Sequence, residues 1–229
     1  MDEKKAFIKE RLAEIQKKLP TGVALLGATK TVPAEYINYA AECGLRLMGE
    51  NRVNELVEKY DSLNKDLLEI HFIGALQSNK VKYIIDKVSM IHSVDRLSLA
   101  EEISRRALAI DKVMPVLVEV NIGKEPSKSG VMPEDTLAFI KEIAKLKGIS
   151  VQGLMTIPPK CDSKEKNIEF YKKIKQIFID ISRQNVDNVN MRILSAGMSG
   201  DWQEAAECGS NMVRIGSGLF GMRQYDVKS

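Results

Sequence analysis

Short apolar, β-branched runs alternate with longer amphipathic segments along the whole chain. Phe7, Ile8, Leu12, Ile15 and Leu19 recur at helical spacing and predict a leading helix over residues 3–18. Eight strand candidates follow, at 23–29, 45–49, 70–75, 90–94, 114–121, 151–157, 191–196 and 212–216. Between them lie helical stretches near 34–43, 52–60, 78–87, 96–110, 133–146, 164–183 and 201–208, with Pro33, Pro133 and Asp201 as start signals. The strands read as nearly continuous apolar runs, Val116-Leu117-Val118-Glu119-Val120 being typical, so both faces are covered. Eight βα units in ~200–250 residues predict an α/β fold, a (β/α)8 TIM barrel with an extra N-terminal helix. A doubly wound open sheet is the alternative, because periodicity does not show closure. Neither a long linker nor a low-complexity tract interrupts residues 1–229, and Lys124 to Pro133 reads as a loop, so one domain is expected.

Charge narrows the class of partner. Lys plus Arg is 34 against 31 for Asp plus Glu, and a net charge of +3 argues against nucleic acid or an anionic membrane as the main partner. The start, Met1-Asp2-Glu3-Lys4-Lys5, carries charge where a secretory signal needs an apolar core, and no apolar run approaches a membrane span. Cys43, Cys161 and Cys208 are odd in number and widely spaced, which suggests neither a disulfide framework nor paired zinc ligands. With only His71 and His92 as histidines, no metal site is expected. A reduced, cytoplasmic protein is the reading that remains. No exposed apolar stripe stands out as a dimer face, which predicts a monomer.

In a barrel the working residues sit at the carboxyl ends of the strands. Lys30 occupies that position after Val23-Ala24-Leu25-Leu26-Gly27-Ala28-Thr29, as a reactive amine or as a solvated strand-end lysine. Ser195-Ala196-Gly197-Met198-Ser199-Gly200-Asp201 leads into a helix and reads either as an anion-binding turn or as a helix cap on Ser199 or Asp201. In Val213-Arg214-Ile215-Gly216-Ser217-Gly218, a strand arginine needs an anionic or hydrogen-bonded partner, and the turn after it offers N–H donors. Barrels place phosphate between the loops of strands seven and eight, where these two turns fall. A lysine amine and a phosphate cup in one barrel mouth are what pyridoxal phosphate needs, the amine forming a Schiff base and the cup holding the dianion. Asn51 can hydrogen-bond a ring hydroxyl or cap a helix. Met155 can pack on a cofactor ring or fill the barrel. His71 and His92 read as hydrogen-bonded core residues, and Lys124 and Lys128 as solvated.

The same residues carry a family resemblance. Gly27-Ala28-Thr29-Lys30-Thr31, Gly49-Glu50-Asn51, His71-Phe72-Ile73-Gly74, Leu76-Gln77-Ser78-Asn79-Lys80 and His92-Ser93-Val94-Asp95 occur in order. Val120-Asn121-Ile122, Lys128-Ser129-Gly130, Gly153-Leu154-Met155, Gly197-Met198-Ser199 with Asp201, and Val213-Arg214-Ile215-Gly216 follow. Along nearly its whole length the chain resembles the pyridoxal phosphate homeostasis family, the YggS/PROSC type. The resemblance implies a barrel like the alanine racemase N-terminal domain, with Lys30 as the Schiff-base lysine and pyridoxal 5'-phosphate as cofactor. It also implies Ser199, Gly200, Gly216 and Ser217 at the phosphate, and Arg214 near the pyridine nitrogen. A cation there disfavours protonation of that nitrogen and weakens the ring as an electron sink.

Alanine racemase-like enzymes add a β-rich second domain that supplies a tyrosine base. Few residues follow Gly221, and Tyr225 lies in that tail, so little or no catalysis is expected. The leading expectation is a protein that buffers pyridoxal phosphate or passes it to apo-enzymes. A small amino-acid racemase or other pyridoxal phosphate enzyme is the alternative. A Schiff-base aldolase for sugar phosphates, using the same lysine and cup, is the third.

Overall fold

The computed structural model describes residues 2–160 and 163–222; Cys161 and Tyr225 lie outside them. Helix α1 (Glu3–Lys18) is capped by Asp2, which accepts from Lys4 N at 2.9 Å, and buries Ile8, Leu12 and Ile15. Next come β1 (Ala24–Ala28), α2 (Ala34–Glu42), β2 (Leu47–Glu50), α3 (Val53–Lys59), β3 (Glu69–Phe72) and β4 (Met90–Val94). The chain continues through α4 (Leu97–Leu108), β5 (Met114–Glu119), α5 (Thr136–Ile143), β6 (Ile149–Met155) and α6 (Lys164–Ser182). It ends with β7 (Val189–Ser195), α7 (Trp202–Glu207), β8 (Met212–Ile215) and α8 (Ser217–Phe220).

All eight strands are parallel and pair in chain order, and β1 closes on β8 from Ala24–Met212 to Gly27–Ile215. The sheet is a closed barrel and not an open one. Alternation along the strands builds two cores. Ile70, Phe72, Val116, Val118, Val213 and Ile215 pack outward among the helices, while Leu26, Ile73, Met212, Met90, Leu117 and Met155 fill the barrel. Burial on both faces is why these strands read as unbroken apolar runs. At Gly153 the pairing registers of β6 with both neighbours shift. Its φ is +147, and a Cβ there would lie 1.8 Å from Ile193 O, so only glycine fits. Helix α1 packs on α2 and α8, and Arg11 Nε donates to Gly218 O at 3.2 Å.

Three segments depart from the pattern-based expectation. Residues 78–87 form a 3-10 helix over Ser78–Tyr83 followed by tight turns, in place of an α-helix. Val81, Ile84, Ile85 and Val88 are buried at a spacing that three-residue and four-residue turns serve equally well. Strand β2 begins two residues later than expected, because Leu45 is buried and its N–H closes the end of α2 on Ala40 O. The glycine-flanked turn after Arg214 is the short helix α8. Among the described residues no helix is long and apolar enough to cross a membrane.

Candidate functional site at the barrel mouth

The carboxyl ends of the strands surround a cavity of about 490 Å³. Asn51, Ser199, Gly200, Arg214, Gly216 and Ser217 all line it, joined by Ala28, Ile73 and Lys160. Asn51, after β2, faces the two turns that follow β7 and β8. Met155 is not on this wall: it is fully buried below, packed with Met90 and Leu117.

Lys30 is half-buried in the turn two residues beyond Ala28, which lines the cavity; Lys30 itself is not among the lining residues. Its Nζ has no hydrogen-bond or ion-pair partner among the described residues. Its backbone is held firmly. Lys59 Nζ donates to Thr29 O and Val32 O, each at 3.1 Å, and to Glu50 Oε2 at 2.7 Å. Glu50 is fully buried and also accepts from Asn51 N at 2.7 Å, Arg52 N at 3.3 Å and Thr29 Oγ1 at 3.3 Å. One ion pair therefore fixes both the Lys30 turn and the Asn51 turn. Thr31 adopts a φ of 63, and its N–H donates to Glu55 Oε2 at 2.7 Å. Glu50 and Lys59 were missed as site residues. Glu50 was visible as a carboxylate inside Gly49-Glu50-Asn51 at a strand end, whereas nothing in the sequence marks Lys59.

In the turns after β7 and β8, the latter strand paired with β1, Ser199 Oγ accepts from Gly216 N at 3.2 Å and Gly218 N at 3.1 Å. This ties the two turns into one cup and leaves the Ser199 O–H free to donate. Gly200 borders open space, since a Cβ there would meet nothing within 4 Å. Asp201 stands at the start of α7 without capping it; its carboxylate accepts instead from Met198 N at 2.6 Å. Arg214 is buried and oriented by two donations, Nη1 to Ser195 Oγ at 2.7 Å and Nη2 to Thr156 O at 2.9 Å. Burial lowers its pKa, opposed by Glu119, Tyr171 and Asp201.

A smaller chamber of about 260 Å³ adjoins the cavity across Asn51, Ile73 and Ile157. Glu119, Lys128 and Ser129 line it. Burial, reinforced by Asp95 and opposed by Arg214, pushes Glu119 up to about 7. Lys128 is half-buried at this wall, paired with Glu125 at 2.5 Å, so it is not simply solvated. Lys124 is exposed and pairs with Glu134 at 2.9 Å. His71 and His92 are buried in the barrel and bonded to each other.

The chain matches the family described as "Alanine racemase, N-terminal domain" over residues 5–224. It is 48% identical over 202 residues to a pyridoxal phosphate homeostasis protein of Aquifex aeolicus, covering 88% of this chain and 87% of that protein. The protein of the same name from Escherichia coli is 34% identical over 212 residues, covering 91% and 89%. PipY of Synechococcus elongatus, solved with pyridoxal phosphate bound, superposes with a TM-score of 0.86 at 32% identity, covering 93% of this chain and 100% of that one. An alanine racemase of Clostridium difficile shares the fold, with a TM-score of 0.76 at 19% identity, covering 96% of this chain and 56% of its own. A closed barrel with this lysine and this two-turn cup, matched over nearly its full length, belongs to the pyridoxal phosphate homeostasis family, built on the alanine racemase N-terminal domain.

Proposed function

We propose that this chain is a single barrel domain, residues 1–229, that holds pyridoxal 5'-phosphate at its mouth and buffers or delivers it with little or no catalysis. The observation that carries this reading is the joint framing of one cavity. The Glu50–Lys59 pair fixes the lysine side, and Ser199 ties the cup side. The lining suits the group: among the described residues it offers backbone N–H donors, two serine hydroxyls and a buried guanidinium, and no carboxylate. Its volume of about 490 Å³ accommodates a cofactor of this size.

In this reading Lys30 Nζ holds the cofactor as a Schiff base, and Ser199, Gly200, Gly216 and Ser217 surround the phosphate. Asn51 would supply a hydrogen bond to the cofactor's ring hydroxyl, and Arg214, held by Ser195 and Thr156, would supply a fixed cation to its ring. Met155 is left out of this set, because it packs in the barrel without reaching the wall. Bound pyridoxal phosphate supplies an aldehyde and an electron-accepting ring. Arg214, as a fixed cation, opposes protonation of that ring and favours storage over turnover. The names of the relatives and the cofactor bound in PipY support the same reading. A cytoplasmic monomer whose partners are the cofactor and apo-enzymes that need it completes the proposal.

Its test is a transfer assay. Protein loaded with pyridoxal phosphate should restore activity to an apo-enzyme, and should not interconvert L- and D-amino acids. Steady racemisation that disappears in Lys30→Ala would favour an enzyme instead.

A further inference from the structure

The cup formed by Ser199, Gly200, Gly216 and Ser217 offers neutral donors, amide N–H groups and hydroxyls. A phosphate monoester would bring a dianion into it, and neutral donors leave that charge without a counter-ion. Among the described lining residues two carry positive charge, Arg214 and Lys160. Arg214 is buried and already engaged, Nη1 with Ser195 Oγ and Nη2 with Thr156 O. Lys160 is exposed, and its Nζ has no hydrogen-bond or ion-pair partner among the described residues. A solvated loop lysine explains the exposure. It does not explain how this lysine is presented.

Lys160 stands on a stiff, anchored stem. Thr156, just beyond β6, donates from N to Ser195 O at 3.1 Å and from Oγ1 to Val120 O at 2.7 Å. Pro158 and Pro159 follow, each with φ fixed by its ring and each holding the residue before it extended. Pro159 packs so closely on the loop after β5 that a Cβ on Gly123 would lie 2.1 Å from Pro159 Cγ. Pro158 O accepts from Lys128 Nζ at 3.3 Å. The long side chain of Lys160 therefore starts from a fixed point, and that point adjoins the cup. Strand β6 pairs with β7, whose turn carries Ser199 and Gly200, while β8 pairs with β1, which leads to Lys30. Around the barrel the cup lies between the two lysines.

We propose that Lys160 is the counter-cation of the phosphate: its ammonium pairs with the dianion in the cup and makes the site select phosphorylated over unphosphorylated pyridoxal. The two lysines then divide the work. Lys30 holds the aldehyde end by a covalent bond, and Lys160 holds the phosphate end by charge alone. This inference deepens the cofactor reading and rests on it. Because Lys160 is open to solvent, salt screens the pair, which gives its contribution a signature that packing lacks.

The test compares wild type, Lys160→Gln and Lys160→Arg in absorbance titrations with pyridoxal phosphate and with pyridoxal, which lacks the phosphate. At low salt Lys160→Gln should bind pyridoxal phosphate about fivefold more weakly, with pyridoxal affinity changed by less than about twofold. Lys160→Arg keeps the charge and should restore most of the affinity. Added salt should weaken the wild type and narrow its lead over Lys160→Gln. An equal loss for both compounds would show a structural role, and an unchanged affinity for pyridoxal phosphate would show a merely solvated lysine; either overturns the proposal. So does a pyridoxyl group found on Lys160 after borohydride reduction. Wild-type protein that takes up neither compound refutes the cofactor reading itself, and inorganic phosphate then decides the role of Lys160. Followed by NMR at the Ser199, Gly200, Gly216 and Ser217 amides, phosphate should saturate the wild type at about fivefold lower concentration than Lys160→Gln. Amides that do not respond, or respond alike in both proteins, overturn the proposal.

Discussion

Glu119 gives the account its most quantitative test. It sits at the end of β5 beside the cavity, where burial and Asp95 push it up to about 7 against the pull of Arg214. Its ordinary value is 4.5. A folded-state pKa raised this far means the folded chain binds a proton that the unfolded chain releases. Stability from Glu119 is therefore fully present below pH 4.5 and is lost as pH rises through about 7. The loss, complete above that point, amounts to ~3 kcal/mol at most. Glu119→Gln stays neutral and escapes it.

Urea denaturation of the two proteins at about pH 5 and about pH 8 reads this difference directly. Near pH 5 the proteins should differ little. Near pH 8 the variant should be the more stable, by ~2–3 kcal/mol, with an unchanged m-value. A difference that does not vary with pH, or a variant less stable at the higher pH, would refute the argument. In the second case the attraction between Glu119 and Arg214 would outweigh the burial of the carboxylate.

Arg214→Gln removes the opposing charge, so the pH-dependent loss of stability should extend to higher pH in the same denaturation series. Lys59→Met leaves the Glu50 carboxylate buried without its partner and should cost ~3–5 kcal/mol by urea denaturation; a cost below ~1 kcal/mol would show that the pair does not hold the Lys30 turn. Gly74→Ala places a Cβ 2.0 Å from Asn51 O and should displace the Asn51 turn. Pyridoxal phosphate affinity, followed by fluorescence titration, should then fall about tenfold or more, whereas unchanged affinity would remove Asn51 from the site.

The barrel was legible because burying each strand on both faces leaves runs such as Val116 to Val118, with helical spacing between them. Closure was not, since an open parallel sheet buries its strands in the same way; the β1–β8 ladder decides it. The 78–87 segment misled because Val81, Ile84, Ile85 and Val88 satisfy tight turns as well as an α-helix. The cup was readable from small residues clustered at two strand ends, although its tie through Ser199 was not. Met155 illustrates a general ambiguity: a strand-end methionine fills a core or faces a ligand, and here it fills the core. Glu50–Lys59 and His71–His92 were hidden for a shared reason. Their meaning lies in which partner each side chain meets, and that is set by strand parity and packing together.

The central claim is that Lys30 anchors the cofactor. Pyridoxal phosphate is added to the purified protein, the absorbance spectrum is recorded, and the sample is reduced with borohydride and mapped by peptide mass. The account predicts a visible band that reduction bleaches and a pyridoxyl group on the Lys30 peptide, both absent in Lys30→Ala. No band and no adduct, or an adduct on a lysine other than Lys30, would contradict it.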